Sequence, residues 1–378
     1  MTFRAMLIDA YRQLAAAKLF WLTLALSLLV VVMYGSVSFN ENGMSVFYGL
    51  LPIENEYFRA GSPWSRGLYI GIYSNFLVAI WLAWIATILA LISTCTIFPE
   101  FISGGSIELT LSKPIHRTKL FLMKYVVSLL FVMLQVLVFC GGIFLCVGLR
   151  LGEWNWAIFA GVPIVTVFYS YLFAISVLVG MLTRSGITAL LVTVIFWMVL
   201  WAAQTSETVL NTIMTDARVK IDRFSVAIEE QEATILEMEA RAAKKGGGDF
   251  RIDEKRERIG TWREDIDEAT ELLDTLDAWY RPVSWGLAVL PKTAQTIGLL
   301  DRWLSSAGGF DLAAIMRGEM EEVEEFDPAS NRAREQETQR RLVEDYGERS
   351  LWYVIGTSML FEAVVVSIAL WLFRRRDF

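Results

Sequence analysis

A chain of 378 residues that is 55% hydrophobic yet carries 34 Lys/Arg and 41 Asp/Glu has too much apolar surface for an ordinary soluble domain and too much charge for a lipid-buried bundle alone. Mean hydropathy is +0.45, and the charge segregates: residues 206–350 hold 20 Lys/Arg against 32 Asp/Glu, a net of −12, and the rest nets +5. His116 is the only histidine, and Cys95, Cys140 and Cys146 form no CxxC pair, which excludes a disulfide framework, a His-rich metal cage and an HExxH site.

A segment that crosses a membrane as a helix needs about 20 apolar residues. Six segments meet this, at about 19–38, 74–97, 125–149, 157–182, 186–204 and 351–373. They predict an all-α integral membrane protein with six transmembrane helices. The first segment is too long for a secretory core and lacks a small-residue cleavage site after it, so it reads as an uncleaved anchor. With the N-terminus inside, segments 1–18, 98–124, 183–185 and 374–378 carry eleven Lys/Arg against four Asp/Glu, whereas loops 39–73 and 150–156 hold only Arg59, Arg66 and Arg150. That bias predicts both termini in the cytoplasm and residues 205–350 outside.

The loop between the second and third spans, within 98–124, combines a Gly104-Gly105 break, a small amphipathic helix with Ile107, Leu109 and Leu111, and a Lys113-Pro114 turn that stops it. Arg117, Lys119 and Lys124 follow, placed to meet lipid phosphates or a partner's carboxylates. In the third span Gly141, Gly142 and Gly148 suit close helix packing. Trp81, Trp84, Trp197 and Trp201 read as packing or interface residues.

Residues 205–350 form an acidic domain of different character. Ile221, Phe224, Ile228, Ile235 and Met238 fall on heptad positions, as do Ile252, Ile259, Trp262, Ile266, Ala269, Leu273, Leu276 and Tyr280. Gly246-Gly247-Gly248 divides the two runs, which predicts an antiparallel helical hairpin (a coiled coil) over 211–280, inserted between the fifth and sixth spans. At about 1.5 Å per residue it projects roughly 45 Å. Gln231 and Lys255 interrupt its stripes. Residues 283–304, containing Pro291, Lys292, Asp301 and Arg302, are too broken to span and read as interfacial helices. Residues 317–349 read as an acidic connector with no chemistry.

Residues 351–378 make the sixth span and a basic tail. Glu362 lies near the middle of that span, where an ionised carboxylate costs about 2.5–3.5 kcal/mol and must face protein or water. It lies either on a translocation path or in a structural hydrogen bond with a group such as Gln135, Asn75 or a tyrosine.

This pattern resembles the permease (transmembrane) subunits of the ABC type-2 exporter family. Those carry, in the same loop, an acidic residue, a glycine, a hydrophobic stretch, a Pro-x-x-Arg turn and a lysine opening the next helix. Glu100, Gly104 or Gly105, Leu109 to Leu111, Pro114, Arg117 and Lys124 occupy these places, with Glu108 in the same element. Leu290-Pro291 before the last span and the Arg374-Arg375-Arg376 tail agree, while the 211–280 insertion departs from simpler members.

The resemblance implies that the loop couples the spans to a separate cytoplasmic ABC ATPase that binds ATP and Mg, this chain holding no cofactor and having no enzyme activity of its own; no GxxxxGK[ST] loop occurs in it. It implies a homodimer or a heterodimer with a similar permease, lipid contact, a bacterial inner-membrane location and export of a substrate, without nucleic acid. Glu362, Gln135 and Asn75 are the candidate translocation residues. The alternative is an ATP-driven scaffold or signal transmitter acting through the hairpin on an extracytoplasmic partner, with Ile228, Ile235, Ile259, Trp262 and Ile266 as its contact residues. A membrane-embedded enzyme is disfavoured, since no paired aspartates, metal cluster or nucleophile constellation occurs.

Overall fold

The computed structural model describes residues 18–103, 116–245, 250–308 and 330–375. Five of its helices are long and apolar enough to cross a membrane: Trp64–Ile102, Arg117–Leu151, Trp156–Thr183, Gly186–Ala243 and Trp352–Arg375. The first predicted span is a shorter apolar helix, Phe20–Gly35. The Gly246-Gly247-Gly248 break, the Glu319 to Glu325 run and the loop residues from Gly104 to Ile115 lie outside the described residues. The chain divides into two compact units: one of residues 1–201, 290–318 and 351–378, the other of 202–289 and 319–350.

In the first unit, α1 (Lys18–Gly35) leads into a three-stranded antiparallel meander, β1 (Ser38–Asn40), β2 (Gly43–Val46) and β3 (Leu51–Glu54). Ser38 pairs with Ser45 and Gly43 with Glu54. Gly43 has φ +143°, and a Cβ there would lie 2.4 Å from the Ile53 carbonyl oxygen, so only glycine fits this turn. The sheet lies in a stretch that the sequence reading leaves as plain loop, because strands of three and four residues are too short for a periodic signal.

Ser62 and Pro63 open the next helix in the usual N-cap and first-turn roles, the Ser62 hydroxyl accepting from the Ser65 N–H. α2 (Pro63–Gly71) continues through a wide-turned π segment, Ile72–Ala86, into α3 (Thr87–Thr94), and α4 (Ile97–Ser103) follows. The ends of α1 and α2 are locked together by Tyr34 and Tyr69. Their rings stack at 4.2 Å and each hydroxyl donates to the other's carbonyl, at 2.9 and 3.3 Å.

α5 (Arg117–Leu151) and α6 (Gly161–Thr183) carry the core. Residues Phe168 to Ala174 of α6 are buried without a break, so this helix is apolar all round and central rather than striped. It packs against α5 and against α11 (Thr357–Arg375), which follows a π turn at Trp352–Gly356. α1 lies on α5, where a Cβ on Gly142 would meet Val31 Cγ1 at 2.8 Å, whereas one on Gly141 would meet nothing. Trp84 stacks on Trp197 at 4.5 Å and meets Trp201 edge-on. Trp197 and Trp201 therefore both pack on Trp84.

The second unit begins within α7 (Gly186–Lys245), after Trp201, and contains the whole of α8 (Phe250–Val289) and of α10 (Asn331–Glu348). Phe224, Ala227 and Trp262 form one cluster, flanked by Ile228 and Ile266; Ile235, Ile252 and Ile259 form the next. Contacts pair early residues of α7 with late ones of α8: Lys220 with Asp265 at 2.7 Å, Glu232 with Arg263 at 2.7 Å, and Glu239 with Arg256. Gln231 and Lys255, the two breaks in the stripes, face each other, the ammonium donating to the amide oxygen.

α8 runs through Pro282 to Val289, since a proline removes one N–H bond without ending a helix whose other bonds remain. α10 is a packed helix, capped by Ser330. Arg334 and Thr338 bond Asp216, and Arg341 bonds Asp222, a 3-4 spacing that puts all three on one face.

Between the second unit's two segments, α9 (Thr293–Gly308) belongs to the first unit. Its Leu300 is buried in the main core and Ile297 packs against it. The sequence suggests an interfacial helix for this stretch, and Trp303 does remain half exposed. The leucine face, however, is taken up by α6 and the π segment.

Candidate functional site

The first two turns of α5 present Arg117, Phe121, Lys124 and Tyr125, spaced so that all lie on one side of the helix. Each meets something different. Arg117 Nη1 donates to the Arg374 carbonyl at 3.4 Å in an exposed contact. Phe121, fully buried, lies 5.1 Å from Phe98 of α4 and 5.7 Å from Phe373 of α11. The Lys124 ammonium sits 3.9 Å above the ring of Phe101, which in turn stacks with Phe373 at 6.2 Å. Both described flanks of the 98–124 loop, α4 and the start of α5, are thus fastened to the C-terminal end of α11 by a buried aromatic cluster.

One turn deeper, Tyr125 reaches Glu362. Its hydroxyl lies 2.8 Å from Oε1, and the Ser170 hydroxyl of α6 lies 2.7 Å from Oε2. Tyr125 and Ser170 are both buried, and Glu362 is partly so. The carboxyl group therefore ties α5, α6 and α11 together.

Each hydroxyl also has a backbone carbonyl in reach: Ser170 O at 3.2 Å for Tyr125, and Val167 O at 2.8 Å for Ser170. A hydroxyl has one hydrogen. An ionised Glu362 takes both hydrogens; a protonated one donates to a hydroxyl whose own hydrogen turns to the carbonyl. The geometry accommodates either state, so the site is able to hold or release one proton without rearranging a helix.

Gln135 is not brought to Glu362. It lines a separate cavity of about 20 Å³ with Thr23, Ser27, Thr87 and Tyr169. The side chain of Asn75 is outside the described set, as are Gly104, Gly105, Glu108, Leu109 and Pro114. Glu100 sits in the first turn of α4, its N–H bonded to the Thr96 carbonyl. Ile228, Ile235, Ile259, Trp262 and Ile266 pack into one another within the second unit. No group of three metal-ligating side chains occurs among the described residues.

No family model, curated protein or solved structure matches this chain. The site must therefore be judged on its own chemistry.

Lys292, which the sequence reading places in an interfacial helix, is a buried cation held at the start of α11. It is 6% exposed. Its backbone N–H donates to Ser358 Oγ at 2.9 Å, its ammonium donates to Thr357 Oγ1 at 2.8 Å, and that ammonium lies 4.4 Å from the Tyr353 ring centroid. The only signal in the sequence was a lysine directly after Leu290-Pro291, in a stretch otherwise apolar enough to be buried.

Proposed function

We propose that the chain is the permease subunit of an ATP-driven transporter of the ABC type-2 kind, an exporter whose ATPase is a separate polypeptide binding ATP and Mg. In this reading it has six spans, with both termini cytoplasmic in a bacterial inner membrane, and an antiparallel helical hairpin outside. It works as a homodimer or beside a similar permease.

The observation that carries the reading is the α5 connection. The helix that leaves the 98–124 loop is held to α11 at its first turn through Arg117 and Phe121, and at its second through Tyr125 and Glu362. Force applied to the loop by a partner's closure reaches an intramembrane carboxylate through two turns of one helix. A merely lipid-anchored turn has no need of that linkage. Both Glu362 oxygens are bonded, by Tyr125 and Ser170, which offsets the cost of an acid in an apolar span, so in this reading Glu362 serves as the joint through which α5 moves α6 and α11.

A second reading is an ATP-driven scaffold that signals through the second unit without moving a substrate. The favouring observation is the continuous set of apolar clusters and ion pairs along α7 and α8, which makes a stiff lever. Under this reading the buried residues set the rod, and the exposed faces meet the partner.

Purification of the intact protein from its native membrane in mild detergent, with mass spectrometry and an ATPase assay, tests the proposal. Co-purification of an ATP-binding subunit, lost in a Glu100→Ala/Arg117→Ala double variant that melts like the parent, supports it. Recovery with no ATP-binding subunit overturns both ATP-driven readings. A bound ATPase with no substrate moved across the membrane, together with a co-purifying extracytoplasmic protein that is lost when the α7 and α8 contacts are disrupted, favours the second.

A further inference from the structure

A cleft of about 440 Å³ lies among α7, α8 and α10, entirely within the second unit. α7 contributes Asn211, Thr215 and Arg218, at i, i+4 and i+7 on one helical face. Tyr280 comes from α8, and Arg341 and Arg349 approach from the α10 side with Asp345. Three guanidinium groups thus face a single lining carboxylate.

Two of the three arginines are engaged. Arg341 bonds Asp222 and Glu337 and so stays cationic, and Arg349 lies 3.9 Å from Asp345. Arg218 is exposed at the cleft and makes no ion pair or hydrogen bond among the described residues.

Asn211 is the second, independent sign. It is 8% exposed, and its amide nitrogen Nδ2 is buried with no hydrogen-bond partner. A buried donor left unpaired is unfavourable and rare in native proteins. A ligand that supplies oxygen acceptors to this face would satisfy it.

We propose that this cleft binds the phosphate group of an organic phosphate ester. Asn211 Nδ2, the Thr215 hydroxyl and the Arg218 guanidinium supply donors along one line, and guanidinium matches phosphate oxygens two at a time. The volume exceeds a bare phosphate and falls in the range of small-molecule sites, leaving room for an alcohol portion beside Tyr280. The surrounding segment 206–350 nets −12 and repels anions in general, so binding here is specific to the donor cluster. Its source is either a lipid headgroup or a soluble ester, and the shared chemistry is the phosphate.

Isothermal titration of the full chain in nonionic detergent tests the site with two probes, glycerol 3-phosphate and monomeric dihexanoyl phosphatidylglycerol. Arg218→Ala and Asn211→Ala should each weaken binding by about tenfold or more, the scale of one lost charged or buried contact. Arg258→Ala, an equal loss of charge away from the cleft, should change it less than twofold. Binding of both probes with this pattern assigns the phosphate itself; binding of the lipid analogue alone assigns a headgroup site, and of glycerol 3-phosphate alone a soluble ester. Binding of neither probe overturns the proposal, as does binding that Arg218→Ala leaves unchanged. Because Arg218 is exposed and unpaired among the described residues, its variant should keep the parent melting temperature, which separates lost binding from lost folding.

Discussion

The Tyr125 hydroxyl meets Glu362 Oε1 at 2.8 Å across 237 positions of sequence, and Ser170 meets the other oxygen at 2.7 Å. Three helices converge on one carboxyl group. Removing one partner leaves a buried polar atom unsatisfied, which costs about 1–3 kcal/mol. Tyr125→Phe, Ser170→Ala and Glu362→Leu should each lower the melting temperature of the detergent-solubilised chain. In a double-mutant cycle Tyr125→Phe and Glu362→Leu should couple by about 0.5–3 kcal/mol. Simple additivity would mean that the bond contributes nothing.

The aromatic cluster and the arginine contact beside it separate stability from coupling. Phe373 is fully buried, so Phe373→Ala should cost about 3–5 kcal/mol. The Arg117 bond is exposed and 3.4 Å long, so Arg117→Ala should cost under about 1 kcal/mol. Thermal unfolding would measure both. A large loss in Arg117→Ala would show that the residue holds the fold, and would remove it as a selective test of ATPase coupling.

Gly141 and Gly142 are adjacent but unequal. A Cβ on Gly142 collides with the stiff Val31 side chain at 2.8 Å, and one on Gly141 has open space. Gly141→Ala should stabilise α5 by up to about 1 kcal/mol through helix propensity. Gly142→Ala should destabilise by about 1–3 kcal/mol through overpacking. Equal shifts in melting temperature would contradict the α1–α5 packing described.

Gln231 and Lys255 satisfy one another between apolar clusters. Lys255→Leu alone strands the Gln231 amide and should loosen the segment. The Gln231→Leu/Lys255→Leu pair should restore stability to about the parent level, since matched apolar replacement of both partners of a hydrogen bond leaves no polar atom unpaired, and this pair is partly buried between the two clusters. Hydrogen-exchange mass spectrometry of peptides covering 225–262 reads the local effect. A double variant that exchanges faster than either single one would refute the pairing.

Much of the fold could be read from local pattern. Long apolar runs announce the helices able to cross a membrane, because hydrocarbon thickness sets a length that few other structures need. The stripes from Phe224 to Met238 and from Ile252 to Ile266 announce two packed helices, because period and burial are linked. The β1–β3 meander leaves no periodic signal, its strands being only three and four residues long. The 331–348 stretch reads as part of a connector because its charges obscure the face that Arg334, Thr338 and Arg341 turn to α7.

For the site, Glu362 stood out by composition alone, as an acid in an apolar run. Nothing local points from it to Tyr125 or Ser170, which are 237 and 192 positions away, nor keeps Gln135 in a different cavity. The sequence by itself determined where apolar helices form, where charge gathers and which acid in an apolar run is costly to bury, since these follow from composition and period. Only the tertiary structure decided which partners relieve that cost and that α9 packs in the main core. It alone brought Asn211 and Arg218 to one cleft with Arg341, because such contacts depend on which helices pack together.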